Sequence, residues 1–225
     1  MRIIPILNSS FIFISLYLSI MQEQEYYIES TVKIDEQAPS FSMPFYDPKT
    51  KDQGHMDLSD LKGKWSVLFY YPADFTFVCP TELKDMADCE AKFQEMWVEI
   101  LACSTDTIFS HKAWTEHEGL MKNFPYKMLA DHTTEYAHIY NILDEKTGIA
   151  GRGTFIIDPD GIIRWIEVTS GPLGRNSAEL IRKIEALQFM REHPGQACPA
   201  KWSLGAKTLT PNIKIAGSVY EALQS

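Results

Sequence analysis

Trp65-Ser66-Val67-Leu68-Phe69-Tyr70-Tyr71-Pro72-Ala73-Asp74-Phe75-Thr76-Phe77-Val78-Cys79-Pro80-Thr81-Glu82 holds three structural units in one stretch. Residues 65–71 are a short apolar run bounded by Gly63 and Pro72, which reads as a buried strand. A loop then turns, and Cys79 stands where a helix begins. Pro80 suits that place, because the missing N–H of a proline costs nothing in a first helical turn. Helix N-termini present free N–H groups and partial positive charge, which favour a thiolate. The thiolate is the reactive form: a thiol of pKa about 8.5 is about 3% ionised at pH 7, and one of pKa about 6 is about 90% ionised. Thr76, three residues before Cys79, is expected to turn its hydroxyl towards the sulfur, where it can donate and accept. Pro72 is expected to fix the loop and shield the sulfur from bulk water. A lone cysteine is more often a packing residue; the joint pattern Pro72-x-x-x-Thr76-x-x-Cys79 is more specific than any of its parts.

Working outward, residues 80–97 read as one amphipathic helix with Leu83, Met86, Ala87, Cys89, Phe93 and Trp97 on one side. Residues 98–103 read as a second buried strand, 111–122 as a helix, 126–130 as a short strand and 133–142 as a helix. Thr154 to Ile157 and Ile162 to Val168 flank Asp158-Pro159-Asp160-Gly161, a strong hairpin signal. Residues 177–193 read as a helix stopped by Pro194-Gly195. Residues 47–54 are rich in turn formers. Strands alternating with helices, then a hairpin and a last helix, imply an α/β fold with a central mixed β-sheet flanked by helices. The organisation expected is an N-terminal extension at 1–30, one domain at 31–193 and an irregular C-terminal arm at 194–225.

The chain has 225 residues, and its 21 basic against 30 acidic side chains give a formal charge of −9. That argues against nucleic acid, whose phosphates need a basic face. Four cysteines are too few to staple so long a chain. From Ile3 to Ile20 there is no charge, and twelve of the eighteen residues are apolar. The run resembles a secretory signal, but no small-x-small cleavage site follows. Pro5, Asn8, Ser9, Ser10, Ser15 and Ser19 dilute it too far for a membrane anchor. The reading preferred is an extension upstream of a start at Met21.

The loop around Cys79 resembles the active-site loop of the peroxiredoxins, within the thioredoxin-like superfamily. It is most similar to the typical two-cysteine group that includes the alkyl hydroperoxide reductase C subunits. Ser104-Thr105-Asp106, Arg152-Gly153-Thr154-Phe155-Ile156-Ile157-Asp158-Pro159 and Ala197-Cys198-Pro199-Ala200-Lys201-Trp202 carry the likeness further, over about Val32 to Ile215. The resemblance implies a thioredoxin-like fold and a thiol peroxidase acting on hydrogen peroxide and organic hydroperoxides. It makes Cys79 the peroxidatic cysteine, with Thr76 orienting the peroxide and Pro72 covering the pocket. Arg152 would place a permanent charge beside the sulfur, Glu82 would steady that arginine, and Arg175 would be a second arginine near the site. Cys198, 119 residues after Cys79, would be the resolving cysteine, forming an intersubunit Cys79–Cys198 disulfide. An external dithiol, either a thioredoxin-like protein or a dedicated flavoprotein reductase, would reduce that bond. The family implies a homodimer, often in a ring of five dimers.

Cys89 and Cys103 are explained by packing. No metal site is expected, since His111/His117 and His132/His138 are six apart, and the six histidines read as solvated or hydrogen-bonded. Without a G-x-G-x-x-G, no bound cofactor is expected. No membrane partner is implied, and a cycling disulfide suits the cytoplasm; export is the alternative if residues 1–20 act as a signal. A redox-regulated holdase chaperone or a peroxide sensor uses the same fold and thiol, and catalytic peroxide consumption separates these roles. Easily over-oxidised family members carry a Gly-Gly-Leu-Gly insert and a terminal Tyr-Phe helix. Here the matching regions read Glu116-His117-Glu118-Gly119-Leu120-Met121 and Ala216-Gly217-Ser218-Val219-Tyr220-Glu221. The expectation is resistance to sulfinic acid formation.

Overall fold

In the computed structural model, which describes residues 32–224, the run at 65–71 becomes a strand buried along its whole length. The strands are β1 (Ser42–Asp47), β2 (Asp52–Asp57), β3 (Trp65–Tyr70), β4 (Val98–Ser104), β5 (Lys127–Ala130), β6 (Leu143–Asp144), β7 (Ile149–Ala150), β8 (Arg152–Ile157) and β9 (Ile163–Thr169). Seven of them form one sheet in the order β2-β1-β5-β4-β3-β8-β9, and β6 pairs with β7 apart from it. β3 pairs parallel with β4 and antiparallel with β8, so the sheet is mixed and β3 lies inside it. That position explains its continuous apolar sequence, because a strand covered on both faces has no polar side.

The helices are α1 (Cys79–Asp88), α2 (Glu90–Glu95), α3 (Ile108–His117), α4 (Glu135–Ile139), α5 (Ser177–Glu192) and α6 (Val219–Gln224). Strand period two sorts the core into two layers. Val67, Phe69 and Tyr71 meet Leu83, Met86, Phe93, Trp114, Leu180 and Ile184 on the face covered by α1, α2, α3 and α5. Leu68 and Tyr70 meet Phe41, Leu61, Ala137 and Tyr140 on the other face. The fold is α/β and thioredoxin-like.

Two local readings are corrected. Residues 80–97 form two helices, because Cys89 takes φ −95 and ψ 8 and its N–H bonds back to Met86, tightening the turn. Trp97 is not on the buried side: it adopts φ 56 and is 85% exposed. The chain leaves the helix at Met96, which takes the buried place and whose carbonyl accepts from Gln188 of α5 at 2.8 Å. The hairpin of β1 and β2 is an addition to the turn read at 47–54. The reading of residues 1–20 as signal, anchor or extension lies outside the described residues. Among the described residues, no helix is long and apolar enough to cross a membrane.

α5 is docked by its first turn. The Asn176 side chain accepts from the Ala178 N–H at 2.9 Å, and Asp85 of α1 accepts from the Ser177 N–H at 2.8 Å. These bonds satisfy free helix N–H groups. They also bring the segment before α5, with Arg175, against the start of α1.

Candidate active site

Cys79 is the first residue of α1 and is fully buried. The Val78 carbonyl before it accepts from the N–H groups of Thr81 and Glu82 at 3.0 and 3.2 Å, closing the first turn. Pro80 follows, where the helix has no use for an N–H. Arg152, the first residue of β8, enters from the sheet. Its Nη1 donates to Cys79 Sγ at 3.4 Å and to Glu82 Oε2 at 2.5 Å, while its Nε donates to the Gly171 carbonyl at 2.7 Å. Three acceptors fix one planar guanidinium, the geometry that distinguishes arginine from lysine.

Glu82 is a buried junction. Its Oε1 accepts from the Arg175 backbone N–H and from Arg175 Nε, each at 2.8 Å. Arg175 Nη1 also donates to the Gly153 carbonyl and to Thr154 Oγ1, each at 3.0 Å. The guanidinium lies over the Phe69 ring at 3.4 Å, a cation–π contact. Burial holds the Arg175 pKa below its usual value, with the Glu82 carboxylate opposing the shift and the Arg152 charge adding to it. Gly174 permits this approach: a Cβ there would sit 3.3 Å from Val78 Cγ1. Two guanidinium charges and one carboxylate leave the cluster formally +1 beside the sulfur. That arrangement suits a thiolate and negative charge developing on an attacked oxygen.

The structure therefore brings Cys79, Glu82, Arg152 and Arg175 together. Pro72 and Thr76 sit half-buried in the loop before α1. The Thr76 hydroxyl donates to the Ala73 carbonyl at 2.7 Å. With its proton committed there, its oxygen is left as an acceptor. Thr154, Phe69 and Gly171 join the cluster without having been singled out by sequence; the alternating faces of β3 and β8 were the only signal for the first two.

Cys198 lies on the arm against α5. Its Sγ is 4.0 Å from the Ala186 carbonyl, and all four cysteines are free thiols. The arm is fastened by Trp202, which is almost fully buried, packs on Phe189 at 5.0 Å, and has its carbonyl held by Arg182 at 3.0 Å. Burial pushes the Cys198 thiol up, and Arg182 pulls it down. Cys89 is pushed up by burial and by Asp85 and Asp88, and Cys103, sealed in the core, is pushed up further by burial. Both suit packing. Replacing Trp202 by alanine keeps the carbonyl for Arg182 and removes the buried ring that packs on Phe189. Cys198 alkylation in the reduced chain is expected to quicken about tenfold, since a lost buried aromatic exceeds the ~1.4 kcal/mol per decade. An unchanged alkylation rate would show that Trp202 does not hold the arm.

Among the described residues no group of His, Cys, Asp and Glu could hold a metal ion. Residues 34–166 match the AhpC/TSA family, and residues 186–214 match the C-terminal domain of 1-Cys peroxiredoxin. The chain is 42% identical to alkyl hydroperoxide reductase C of Staphylococcus epidermidis over 186 residues, covering 83% of this chain and 98% of the relative. It is 44% identical to that of Bacillus subtilis over 179 residues, covering 79% and 96%. Among solved structures, reduced Plasmodium vivax 2-Cys peroxiredoxin superposes with TM-score 0.79 at 30% identity, covering 84% of this chain and 99% of that one. Enterococcus faecalis AhpC superposes with TM-score 0.70 at 40% identity, covering 74% and 98%. A buried cysteine at a helix start, an arginine on its sulfur and these matches across most of the chain lead to one conclusion: the protein belongs to the AhpC/TSA family as a typical two-cysteine peroxiredoxin, an enzyme of the thiol peroxidase class.

Proposed function

We propose that Cys79 reduces hydrogen peroxide and organic hydroperoxides and is regenerated through Cys198. The thiolate sulfur attacks the outer peroxide oxygen and the O–O bond breaks. The leaving oxygen departs as water or alcohol after taking a proton, and Cys79 becomes a sulfenic acid. The observation that carries this reading is the Arg152 contact with the sulfur, itself held by Glu82 and Gly171. Such a preset charge acts where negative charge develops on the breaking bond. Thr76 supplies an acceptor for the peroxide O–H, and Pro72 limits water.

The thiol of Cys198 from a second protomer then attacks the sulfenic sulfur, releasing water and forming the intersubunit disulfide. An external dithiol, thioredoxin-like or a flavoprotein reductase, reduces it by exchange. Cys198 sits against α5 of its own chain, so the arm must detach for this step. Phe75, Phe77 and Phe109 are exposed at 58%, 91% and 74% and offer apolar side chains to a second copy. β9 is a sheet edge whose backbone groups can pair with a second copy. The homodimer, with five dimers in a ring, is the assembly proposed, and the cytoplasm the compartment, with export the alternative if residues 1–20 act as a signal.

Peroxide turnover with a recycling dithiol tests the reading in wild type, Cys79→Ser and Cys198→Ser. Wild type is expected to cycle and, once oxidised, to run as a dimer on non-reducing gels; both variants lose that dimer. Full activity in Cys79→Ser overturns the reading. Mass spectrometry of wild type after millimolar-range peroxide turnover is expected to find little sulfinic Cys79; abundant sulfinic acid at low dose would sink the claimed resistance.

A further inference from the structure

The sulfur cluster leaves one set of buried polar groups unused. Asp74 lies in the loop between Pro72 and Thr76, and its side chain is almost wholly buried. Its Oδ1 accepts from the Tyr71 hydroxyl at 2.8 Å. Its Oδ2 lies 2.9 Å from Nδ1 of His111, a fully buried residue of α3. His111 Nε2 lies 3.1 Å from the Leu129 carbonyl of β5. A carbonyl can only accept, so Nε2 donates to it, leaving Nδ1 to face the Asp74 carboxylate. The Asp74 backbone is held as well: its N–H donates to Asp106 Oδ2 at 2.8 Å, and the Ser104 hydroxyl donates to the same oxygen at 2.8 Å.

We propose that Asp74 anchors the peroxide-binding loop, and that His111 and Tyr71 are positioning residues that set Pro72 and Thr76 over Cys79. The proposal rests on the thiol-peroxidase reading of Cys79. Three bonds converge on this one loop residue, from Tyr71 just after β3, from Asp106 just after β4 and from His111 of α3. The loop needs such an anchor. Phe75, the next residue, sits at φ 55, a region that a bulky side chain enters only under constraint. The Thr76 hydroxyl takes its direction from Ala73, the residue before Asp74. A shift at Asp74 therefore moves both the threonine and its acceptor. Among the described residues none of these groups bonds Arg152 or Glu82, so loss of the anchor spares the charge on the sulfur and harms only peroxide alignment.

Two reactions of Cys79 separate those effects. Hydroperoxide oxidation needs alignment, whereas alkylation by iodoacetamide needs only an accessible thiolate. His111→Gln keeps a donor for Leu129 and loses the one facing Asp74; His111→Asn does the reverse. The second-order peroxide rate is expected to fall by about 100-fold in His111→Gln, the scale of a misplaced reacting group. Alkylation is expected to stay within about threefold or to rise, and His111→Asn to recover to within about tenfold of wild type. Tyr71→Phe, which keeps the packing shape, is expected to lose about tenfold in peroxide rate alone. Equal rates for His111→Gln and wild type overturn the proposal. So does a parallel fall of both reactions, or better recovery by Gln than by Asn, since that would mark His111 as a stitch between α3 and β5. If the His111 variants do not fold, Tyr71→Phe decides: an unchanged ratio of peroxide to alkylation rates overturns the proposal. Wild type serves as the control for the underlying reading, which fails by itself if wild-type Cys79 reacts with peroxide no faster than a free thiol.

Discussion

Arg152→Met is expected to slow the reaction of Cys79 with hydroperoxide by about 10²–10³-fold, the usual cost of deleting one preset donor at a site of developing charge. Methionine keeps much of the volume and removes the charge. Nη1 now bonds both the sulfur and Glu82; without it the sulfur loses the one charged group that bonds it among the described residues. The formal charge of the cluster drops from +1 to zero, with Glu82 and Arg175 left as a matched pair. Because that pair is complete, the variant is expected to fold with little loss of stability. Lysine at 152 restores charge but not the fork that reaches sulfur, carboxylate and the Gly171 carbonyl together. Its rate is expected to lie between the two. Stopped-flow competition for peroxide against a reference peroxidase measures all three. A rate within about threefold of wild type in Arg152→Met would remove charge stabilisation by Arg152 from the mechanism.

Sequence revealed local features of this site well and distant ones poorly, for a physical reason. The strand at 65–70, the loop and Cys79 at a helix start are neighbours along the chain, so periodicity and a proline suffice to read them. Glu82 and Arg175 entered only through the family resemblance, not through any local pattern of their own. Glu82 pairs with Arg152 and Arg175, 70 and 93 residues away in sequence, and no local pattern encodes such a pairing. His111 and Asp74, 37 residues apart, escaped notice for the same reason. The hairpin of β1 and β2 was invisible because Asp52-Gln53-Gly54-His55 has little strand preference; β1 supplies its register. The break at Cys89 was hidden by apolar spacing that continues across it, since α2 buries Phe93 on the same core face as Met86 of α1.

Glu82→Gln tests the buried charges from the side of stability. The wild-type carboxylate is 1% exposed and touches two guanidinium groups that are each 4% exposed. Glutamine keeps the shape and one acceptor oxygen but leaves two like charges facing one another out of water. Removing one partner of a buried ion pair costs about 3–5 kcal/mol, because the remaining charge is left uncompensated. Urea unfolding at neutral pH is expected to show that loss as a lower midpoint with an unchanged slope. The peroxide rate should fall too, since Arg152 loses the bond that aims it at the sulfur. A second substitution separates charge from shape. Arg175→Met added to Glu82→Gln returns the cluster to a net +1, carried by Arg152 alone. If charge balance governs stability, the double variant is more stable than Glu82→Gln by about 1–3 kcal/mol, a coupling normal for groups in one network. If shape governs, the second substitution adds its own loss, because methionine gives up the bonds to Gly153 and Thr154 and the contact over Phe69. A single-variant loss below about 1 kcal/mol would mean that water or a neighbouring side chain reaches the cluster and screens it. Arg152 would then act on the sulfur without needing Glu82 to hold it.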